Sequence, residues 1–504
     1  MSKLLSDAQN KQNEFLDKLT SSKELQNQRP VFHFATPGGW CNDPNGFSQF
    51  NGKIHLFYQY HPYSIQWGPM HWGHAVSEDF LNWQNETVAL APDSESDCKG
   101  CFSGTAIEYD GKHIIAYTGV SNNGKVDVQN QCIAIGDGIT YRKIDANPVL
   151  TADNIPFEFN IEHFRDPKVW MKDEKFFMVC VIKQKNECGA MVMFESADAE
   201  NWTYKGILDS SKDGLSKMWE CPDVSVIDGK DVLIFSPQEV NENYELGFHD
   251  GNNSVYVTGK LDYHNFSFKR EVRSENNYTA ALVDYGIDFY APETTKLSDG
   301  RIIMMGWMQA WESYITPENY TWSGMMTLPR ELYIKNNRLY QKPVREFELW
   351  KKDNVLGECK VSERIIIANN YKRSFELDLD FSAVKNQKGS VKVILEKNKQ
   401  QVYFKIDLDE ESIFFDRSTS LTPGTIKDRR AKLRIDGKLS SVKIIVDTCS
   451  MEVFINEGIQ TFTNSFFFSD LDSDLVIENS TSEKLKYEFY KVEQQKIKFQ
   501  NSLT

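Results

Sequence analysis

Three carboxylates in this sequence stand in short motifs with amide, guanidinium and aromatic neighbours. Asp43 follows an asparagine, Asp166 follows Arg165, and Glu220 follows a tryptophan. Arg165 is expected to keep Asp166 ionised, whereas an apolar wall and two nearby anions should make Glu220 the proton donor of the group. A proton donor paired with an anionic nucleophile is what cleavage of a glycosidic bond requires.

These acidic residues are tied to a fivefold pattern along the chain. Five tight polar turns end in a basic residue and lead into an apolar strand, and the basic residues are Lys53, Lys112, Lys175, Lys230 and Arg301. Counting back ten positions from each gives Asp43, Phe102, Arg165, Glu220 and Ala291. The pattern predicts that these five positions share one structural slot.

The turns predict a β-propeller. Asn-Gly or Asp-Gly between apolar runs is a strong hairpin signal, and the basic residues recur at intervals of 55 to 71 residues. A four-stranded propeller blade needs roughly 40 to 50 residues, so each interval accommodates one blade with longer loops. We therefore expect five blades, with the first strand of each blade nearest the central channel.

The whole chain is predicted to be all-β, with a five-bladed propeller followed by a C-terminal β-sandwich. We assign residues 1–30 to a polar segment that forms a short surface helix docked on the propeller, 31–345 to the propeller and 355–504 to the sandwich. Alternating runs such as 391–395, 402–406 and 451–456 predict the sandwich strands. Glu452 alternates with apolar residues in the last run, which indicates an outward or interdomain residue.

Charge and composition exclude several classes of partner. A formal net charge of −15 argues against nucleic acid and anionic membranes. No apolar run is long enough for a membrane span or a secretory signal, and nine cysteines without framework spacing suit a reducing compartment. These features predict a cytoplasmic enzyme with a small-molecule substrate, and they leave its oligomeric state open.

Two pairs of residues could be metal ligands, but neither is strong evidence for a metal site. Cys98 and Cys101 have zinc-like spacing but no second pair, and His71 and His74 have no third ligand at suitable spacing. We predict no metal and no cofactor. Lysines on catalytic loops are usually solvated, so Lys168 and Lys217 are left outside the site.

Six motifs in order resemble glycoside hydrolase family 32, the family of invertases, sucrose-6-phosphate hydrolases and fructan hydrolases. The resemblance covers nearly the whole chain and rests on the segments 40–46, 67–74, 102–104, 165–167, 220–222 and 328–332, together with Gln59. Cys41 stands where many relatives carry methionine, and both are soft apolar fillers. The resemblance implies the same propeller and sandwich.

The resemblance also implies roles for individual residues. Asp43 would be the nucleophile, Glu220 the general acid/base and Asp166 the transition-state stabiliser that binds fructose hydroxyls. The fructose subsite would consist of Asn42, Gln59, Trp67, Phe102, Ser103 and Arg165. Trp311 would add an aromatic wall, with Trp307 as the competing choice.

The leading hypothesis is a retaining β-fructofuranosidase that acts on sucrose or its 6-phosphate. Double displacement predicts that the carboxyl groups of Asp43 and Glu220 lie about 5 to 5.5 Å apart. Fructan hydrolysis and fructosyl transfer use the same three carboxylates and stay open. An inactive sugar-binding relative is the alternative outside enzymes, and the presence of all three carboxylates weighs against it.

Overall fold

The computed structural model describes residues 2–211, 214–271, 279–312, 314–435 and 437–494. Within these ranges, no helix is long and apolar enough to span a membrane. The chain begins with two helices, α1 (Lys3–Ser21) and α2 (Lys23–Asn27). In the described residues that follow, the regular structure consists of strands and three short 3₁₀ segments, Ala152–Asn154, Arg345–Trp350 and Asn456–Gly458.

Three antiparallel sheets of the propeller come first in the chain. Blade 1 contains β1 (Gly39–Phe50), β2 (Lys53–His61), β3 (His71–Ser77) and β4 (Gln84–Asn85). Blade 2 contains β5 (Gly100–Tyr109), β6 (Lys112–Asn122), β7 (Asp127–Gly136) and β8 (Tyr141–Lys143). Blade 3 contains β9 (Phe159–Lys172), β10 (Lys175–Gln184), β11 (Gly189–Ser196) and β12 (Trp202–Ser210).

The last two blades follow, with one very short strand at the edge of blade 4. Blade 4 contains β13 (Met218–Ile227), β14 (Lys230–Gln238), β15 (Val255–Asp262), β16 (Ser267–Arg270) and β17 (Ala281–Leu282). Blade 5 contains β18 (Tyr290–Lys296), β19 (Ile302–Trp307), β21 (Arg330–Lys335) and β22 (Arg338–Pro343). Between β19 and β21, the strand β20 (Trp322–Ser323) pairs in parallel with β1 and joins the last blade to the first.

The sandwich consists of two six-stranded antiparallel sheets. Its strands are β23 (Lys351–Cys359), β24 (Glu363–Lys372), β25 (Phe375–Asp380), β26 (Ser390–Lys397), β27 (Gln400–Asp407), β28 (Ser412–Asp416), β29 (Asp428–Lys432), β30 (Ser441–Asp447), β31 (Ser450–Ile455), β32 (Gln460–Ser465), β33 (Asp472–Asn479) and β34 (Leu485–Val492). One sheet has the order β23-β34-β25-β30-β31-β32 and the other β24-β33-β26-β27-β28-β29. The prediction of a five-bladed propeller followed by a β-sandwich is confirmed.

All five predicted turns connect the first and second strands of a blade. The turn at Asn51 and Gly52 joins β1 to β2, and the equivalent turns join β5 to β6, β9 to β10, β13 to β14 and β18 to β19. Residues with positive φ make these tight reversals possible, for example Gly52 at 75°. The turn chemistry therefore sets the start of the second strand in every blade.

Every first strand contains a bulge at the same height above its turn. The register against the second strand shifts between Cys41 and Pro44, Phe102 and Gly104, Arg165 and Lys168, Glu220 and Asp223, and Tyr290 and Glu293. A bulge re-aims successive side chains. Two neighbouring residues of each first strand can therefore lie at one end of the channel.

The bulges correct the predicted slot in two blades. The equivalent residue of each blade stands two positions before the proline of the bulge, or before Gly104 in blade 2, and is Asn42, Phe102, Arg165, Glu220 or Tyr290. Counting back ten is therefore one residue too far along in blades 1 and 5. A second register shift in β1, between Asn45 and Ser48, accounts for the offset in blade 1. The next slot holds Asp43, Ser103, Asp166, Cys221 and Ala291.

Hydrogen bonds link each first strand to the first strand of the next blade and close a ring. The five links are Ser103 Oγ to Asp43 Oδ2 (2.6 Å), Thr105 Oγ1 to Pro167 O (2.9 Å), Cys221 N to Asp166 Oδ2 (2.8 Å), Thr294 N to Asp223 Oδ2 (2.9 Å) and Phe47 N to Glu293 Oε2 (3.1 Å). Because these polar groups are buried, each link satisfies a donor that would otherwise be costly. Two of the five links include a predicted catalytic carboxylate.

The two sheet systems are joined by buried ion pairs. Arg330 of β21 donates to Glu452 of β31 (Nε to Oε2, 3.0 Å) and to Asp284 (2.9 Å). His33 contacts Asp447 (2.9 Å) and Glu452 (2.7 Å). Glu452 is therefore an interdomain residue, one of the two positions that the sequence predicts.

The N-terminal helix packs on blade 1. Ser2 caps α1 by accepting from the backbone N–H of Leu5 at 3.1 Å. Ala8 and Gln12 are buried, and Gln9 donates to the carbonyl of Val88 at 3.1 Å. The helix covers the outside of the propeller near the point where β20 closes the ring.

Candidate active site

The bulge residues of all five blades converge at one end of the central channel. Asp43 and Asp166 occupy equivalent positions in blades 1 and 3, and Glu220 occupies the preceding position in blade 4. Asp166 and Cys221 have φ of 61° and 47° and each precedes a proline. Left-handed backbone at such residues costs of order 1 to 3 kcal/mol each and is typical of functional sites.

Asp43 is buried and accepts hydrogen bonds at both oxygens. Asn42 donates to Oδ1 at 3.0 Å, and Ser103 donates to Oδ2 at 2.6 Å. The Cys221 thiol lies 3.4 Å from Oδ2. Burial raises the pKa of Asp43, and the hydrogen bonds from Ser103 and Asn42 oppose that rise.

Asp166 is held mainly through backbone groups. Its Oδ2 accepts from the amide of Cys221 at 2.8 Å, and its own amide donates to Thr118 Oγ1 at 2.8 Å. The nearest guanidinium contact is Arg165 Nε at 3.8 Å. Asp166 is therefore positioned by the strands on either side of it.

Glu220 accepts from four donors, two at each oxygen. Arg165 donates to Oε1 through Nη2 (2.9 Å) and Nε (3.2 Å). Gln238 Nε2 and the Tyr290 hydroxyl each donate to Oε2 at 2.7 Å. Next to Asp43, the indole Nε1 of Trp40 donates to Asn42 Oδ1 at 2.7 Å.

The sequence pairs Arg165 with Asp166, but the carboxylate closest to Arg165 is that of Glu220. Burial raises the pKa of Asp166 above its usual value, Arg165 opposes this rise, and the nearby Glu220 carboxylate adds to it. Arg165 forms its short contacts with Glu220 rather than with its neighbour in sequence. Adjacent residues at a bulge point in different directions, so sequence adjacency misassigned the ion pair.

Aromatic side chains form a wall around the mouth. Trp67, half exposed at 50%, meets Phe102 edge to face with ring centres 6.1 Å apart. Trp311 is 39% exposed and stacks on Trp40, whereas Trp307 is fully buried. Of the two tryptophans that the sequence left open, Trp311 is therefore exposed to solvent and Trp307 is not.

The loops that carry this wall are joined across the mouth. The Tyr314 hydroxyl donates to the carbonyl of Ile65, and the Tyr314 ring stacks on Trp40 at 5.8 Å. The loop of Trp67 and the loop of Trp311 are thereby connected. Flat apolar faces near carboxylates are the usual lining of a sugar site.

Gln59 and Lys168 are both buried. Gln59, which the sequence analysis places in the fructose subsite, donates to the carbonyl of Cys101 at 3.1 Å, next to Phe102 in β5. Lys168 is not solvated as expected, since its ammonium is buried against Asp223 (2.7 Å) and Thr294 O (2.8 Å) in the channel. Lys217 is exposed.

Comparison with known families shows to which family this chain belongs. The Glycosyl hydrolases family 32 N-terminal domain matches residues 33–343, and the Glycosyl hydrolases family 32 C terminal matches residues 338–494. The chain belongs to glycosyl hydrolase family 32. It is a glycoside hydrolase, as the motifs predict.

Curated relatives within family 32 match over most of their length. A sucrose-6-phosphate hydrolase of Escherichia coli is 36% identical over 85% of this chain and 87% of its own length. A raffinose invertase of Escherichia coli is 34% identical over 90% of this chain and 92% of its own length.

Solved family 32 structures share the complete fold. A mutant β-fructofuranosidase of Bombyx mori in complex with sucrose superposes with a TM-score of 0.82 and 29% identity, covering 96% of this chain and 98% of that one. A sucrose-6-phosphate hydrolase from Lactobacillus gasseri gives a TM-score of 0.83 and 26% identity, covering 95% and 96%.

Sequence reasoning missed Tyr290 and Gln238, which both contact Glu220. Tyr290 could have been found from the repeat. Its motif Tyr290-Ala291-Pro292 parallels Arg165-Asp166-Pro167 and Glu220-Cys221-Pro222. Gln238 had no such signal, because it lies at the far end of a second strand and reaches Glu220 only through strand pairing.

Proposed function

We propose that the chain is a retaining β-fructofuranosidase that hydrolyses sucrose or sucrose-6-phosphate, with Asp43 as nucleophile and Glu220 as general acid/base. Asp166 binds hydroxyls of the fructose ring. One observation carries this assignment, which is that all three carboxylates converge on Cys221. Its thiol contacts Asp43, its amide donates to Asp166, and it directly follows Glu220 in the chain.

In the first step, Asp43 attacks the anomeric carbon of the fructosyl unit while Glu220 protonates the departing glycosidic oxygen. Ser103 and Asn42 hold the attacking carboxylate in place. In the second step, water deprotonated by Glu220 hydrolyses the fructosyl enzyme. The two inversions retain configuration at the anomeric carbon.

The subsite residues act through contact area and hydrogen bonding. Trp67, Phe102 and Trp311 supply apolar faces that exclude water from the reacting bond. Asn42 and Arg165 present donors at the same mouth. Relatives named for sucrose-6-phosphate hydrolysis and for raffinose cleavage support a fructoside as the substrate class.

The test is kcat/KM of the purified chain on sucrose, sucrose-6-phosphate and a short inulin oligomer, with each product quantified separately. We expect turnover of the first two to exceed that of inulin. Added methanol should trap the fructosyl enzyme as the methyl β-fructofuranoside, whereas the α anomer would contradict retention. Absence of turnover on every fructoside would favour an inactive sugar-binding relative.

Eight cysteines are free thiols, which supports the proposal of a reducing, cytoplasmic compartment; they are Cys41, Cys98, Cys101, Cys132, Cys180, Cys221, Cys359 and Cys449. Detection of the native protein in the cytoplasmic fraction tests it.

A further inference from the structure

The hydrogen bonds around Glu220 suit a carboxylate but not a carboxylic acid. Its Oε1 accepts from Arg165, and its Oε2 accepts from Gln238 and Tyr290. A general acid must also exist in the protonated form, in which one oxygen carries a hydrogen and needs an acceptor. At least one of these partners must then accept a hydrogen bond from Glu220 or move away from it.

Only one of the three partners can reverse its role without moving away. The guanidinium of Arg165 has no acceptor atom, and Gln238 would have to turn its amide over. The hydroxyl of Tyr290 both donates and accepts. It also has a second acceptor in place, since the carbonyl of Ser236 lies 3.3 Å from the same oxygen.

We propose that Tyr290 is a positioning residue that supports both protonation states of Glu220 by rotating its hydroxyl between the carboxylate and the carbonyl of Ser236. When Glu220 is ionised, Tyr290 donates to Oε2. When Glu220 carries the catalytic proton, its O–H donates a hydrogen bond to the Tyr290 oxygen while the proton stays on Glu220, and the tyrosine hydrogen points to Ser236 O. No proton leaves the tyrosine in either state.

The surroundings of Tyr290 suit this rotation. The ring is buried and sits at the bulge of β18, and the amide of Ala291 donates to Ser236 Oγ at 3.2 Å. Tyr290 and the strand of Ser236 are therefore held together while the hydroxyl turns. Burial raises the pKa of the Tyr290 phenol well above its usual value, so the group stays protonated.

This inference rests on the proposed function, in which Glu220 alternates between acid and base. Protonation of the leaving group is needed for sucrose but not for β-D-fructofuranosyl fluoride. Since kcat/KM reports only the steps up to formation of the fructosyl enzyme, a comparison of the two substrates isolates the acid role.

The experiment compares Tyr290→Phe with the wild type on both substrates. We expect kcat/KM on sucrose to fall about tenfold or more and kcat/KM on the fluoride to change by less than about threefold. Tyr117→Phe is the matched control, because Tyr117 is also a buried tyrosine that donates to a carboxylate, Asp97, at 2.8 Å. The ratio of kcat/KM on sucrose to kcat/KM on the fluoride should be the same in Tyr117→Phe as in the wild type.

An equal loss on both substrates in Tyr290→Phe would overturn the proposal, because it would indicate a general role in packing or sugar binding. Gln238→Leu is the second variant and removes a donor to the same oxygen while Tyr290 remains. We expect Gln238→Leu to reduce kcat/KM on both substrates by similar factors. A selective loss on sucrose in Gln238→Leu would assign the two-way role to Gln238 and refute the proposal, even if Tyr290→Phe did not fold. Wild-type inactivity on both substrates would instead refute the proposed function.

Discussion

At the scale of single residues, the carboxylates at the mouth of the channel have different hydrogen-bond donors, and these donors suit their different proposed roles. Asp43 accepts from short neutral donors, Ser103 and Asn42. Glu220 accepts from a guanidinium, an amide and a phenol. Because hydrogen bonds to a carboxylate stabilise its ionised form, Ser103 and Asn42 oppose the rise in pKa that burial causes at Asp43.

Ser103→Ala should move the acid limb of the pH profile of kcat/KM to higher pH. Asp43 must be ionised to attack, and its pKa is already raised by burial and lowered by the Ser103 hydroxyl. Removal of that donor raises the pKa further, so activity is lost earlier as pH falls. Ser48→Ala, a buried serine that donates to Gly46 O at 2.7 Å, serves as control. An unshifted acid limb in Ser103→Ala would contradict the role of this contact.

Glu220→Ala should reduce kcat/KM on sucrose by roughly 10² to 10⁴, the usual contribution of general acid catalysis. Activity on β-D-fructofuranosyl fluoride should survive to a much greater extent, because fluoride departs without a proton. Parallel rates on the two substrates measure the difference. Near-normal turnover of sucrose would remove Glu220 from the proposed mechanism.

At the scale of elements, the bulges of the first strands create the site, because they point consecutive side chains toward the mouth. The bulge in β5 depends on Gly104, where a Cβ would lie 2.0 Å from the carbonyl of Ala116 and 2.7 Å from Tyr117 Cα. The close approach leaves room only for hydrogen. The neighbouring Ser103 and Phe102 take their positions from this contact.

Gly104→Ala should therefore destabilise the protein and displace Ser103. Overpacking of this kind costs about 1 to 3 kcal/mol in the free energy of unfolding, which denaturant titration measures. Activity should fall more than stability alone explains, because the Ser103 contact to Asp43 is lost. Gly206→Ala is the control, since a Cβ there meets nothing closer than 3.6 Å. Equal behaviour of the two variants would disprove the steric argument.

At the scale of the whole molecule, buried ion pairs join the propeller to the sandwich. Arg330 and His33 are both fully buried between Glu452, Asp447 and Asp284. Removing one member of such a network leaves an uncompensated buried charge, which is strongly destabilising. The interface between the propeller and the sandwich is therefore expected to be rigid as long as its buried charges are balanced.

His33 should make stability depend on pH. Burial lowers its pKa, but the contacts with Asp447 and Glu452 outweigh burial and raise the pKa to about 9. A raised folded pKa contributes stability that is present in full below about 6.5 and is lost as pH rises through about 9. Thermal unfolding at pH 6 and pH 9.5 should show a larger fall in Tm for the wild type than for His33→Asn. Equal falls would show that His33 carries no charge in the native protein.

The sequence by itself determined the hairpins, the blade number and the motifs that hold the three carboxylates. Those features depend on local chemistry: Gly, Asn and Asp at turns, β-branched runs in strands, and residue types within a few positions of one another. Only the tertiary structure decided which donor reaches which acid. Arg165 pairs with Glu220 of the next blade, Lys168 is buried, and Tyr290 and Gln238 complete the acid site. These contacts join residues 18 to 70 positions apart or lie across a bulge, where a shift of one residue reverses the direction of a side chain.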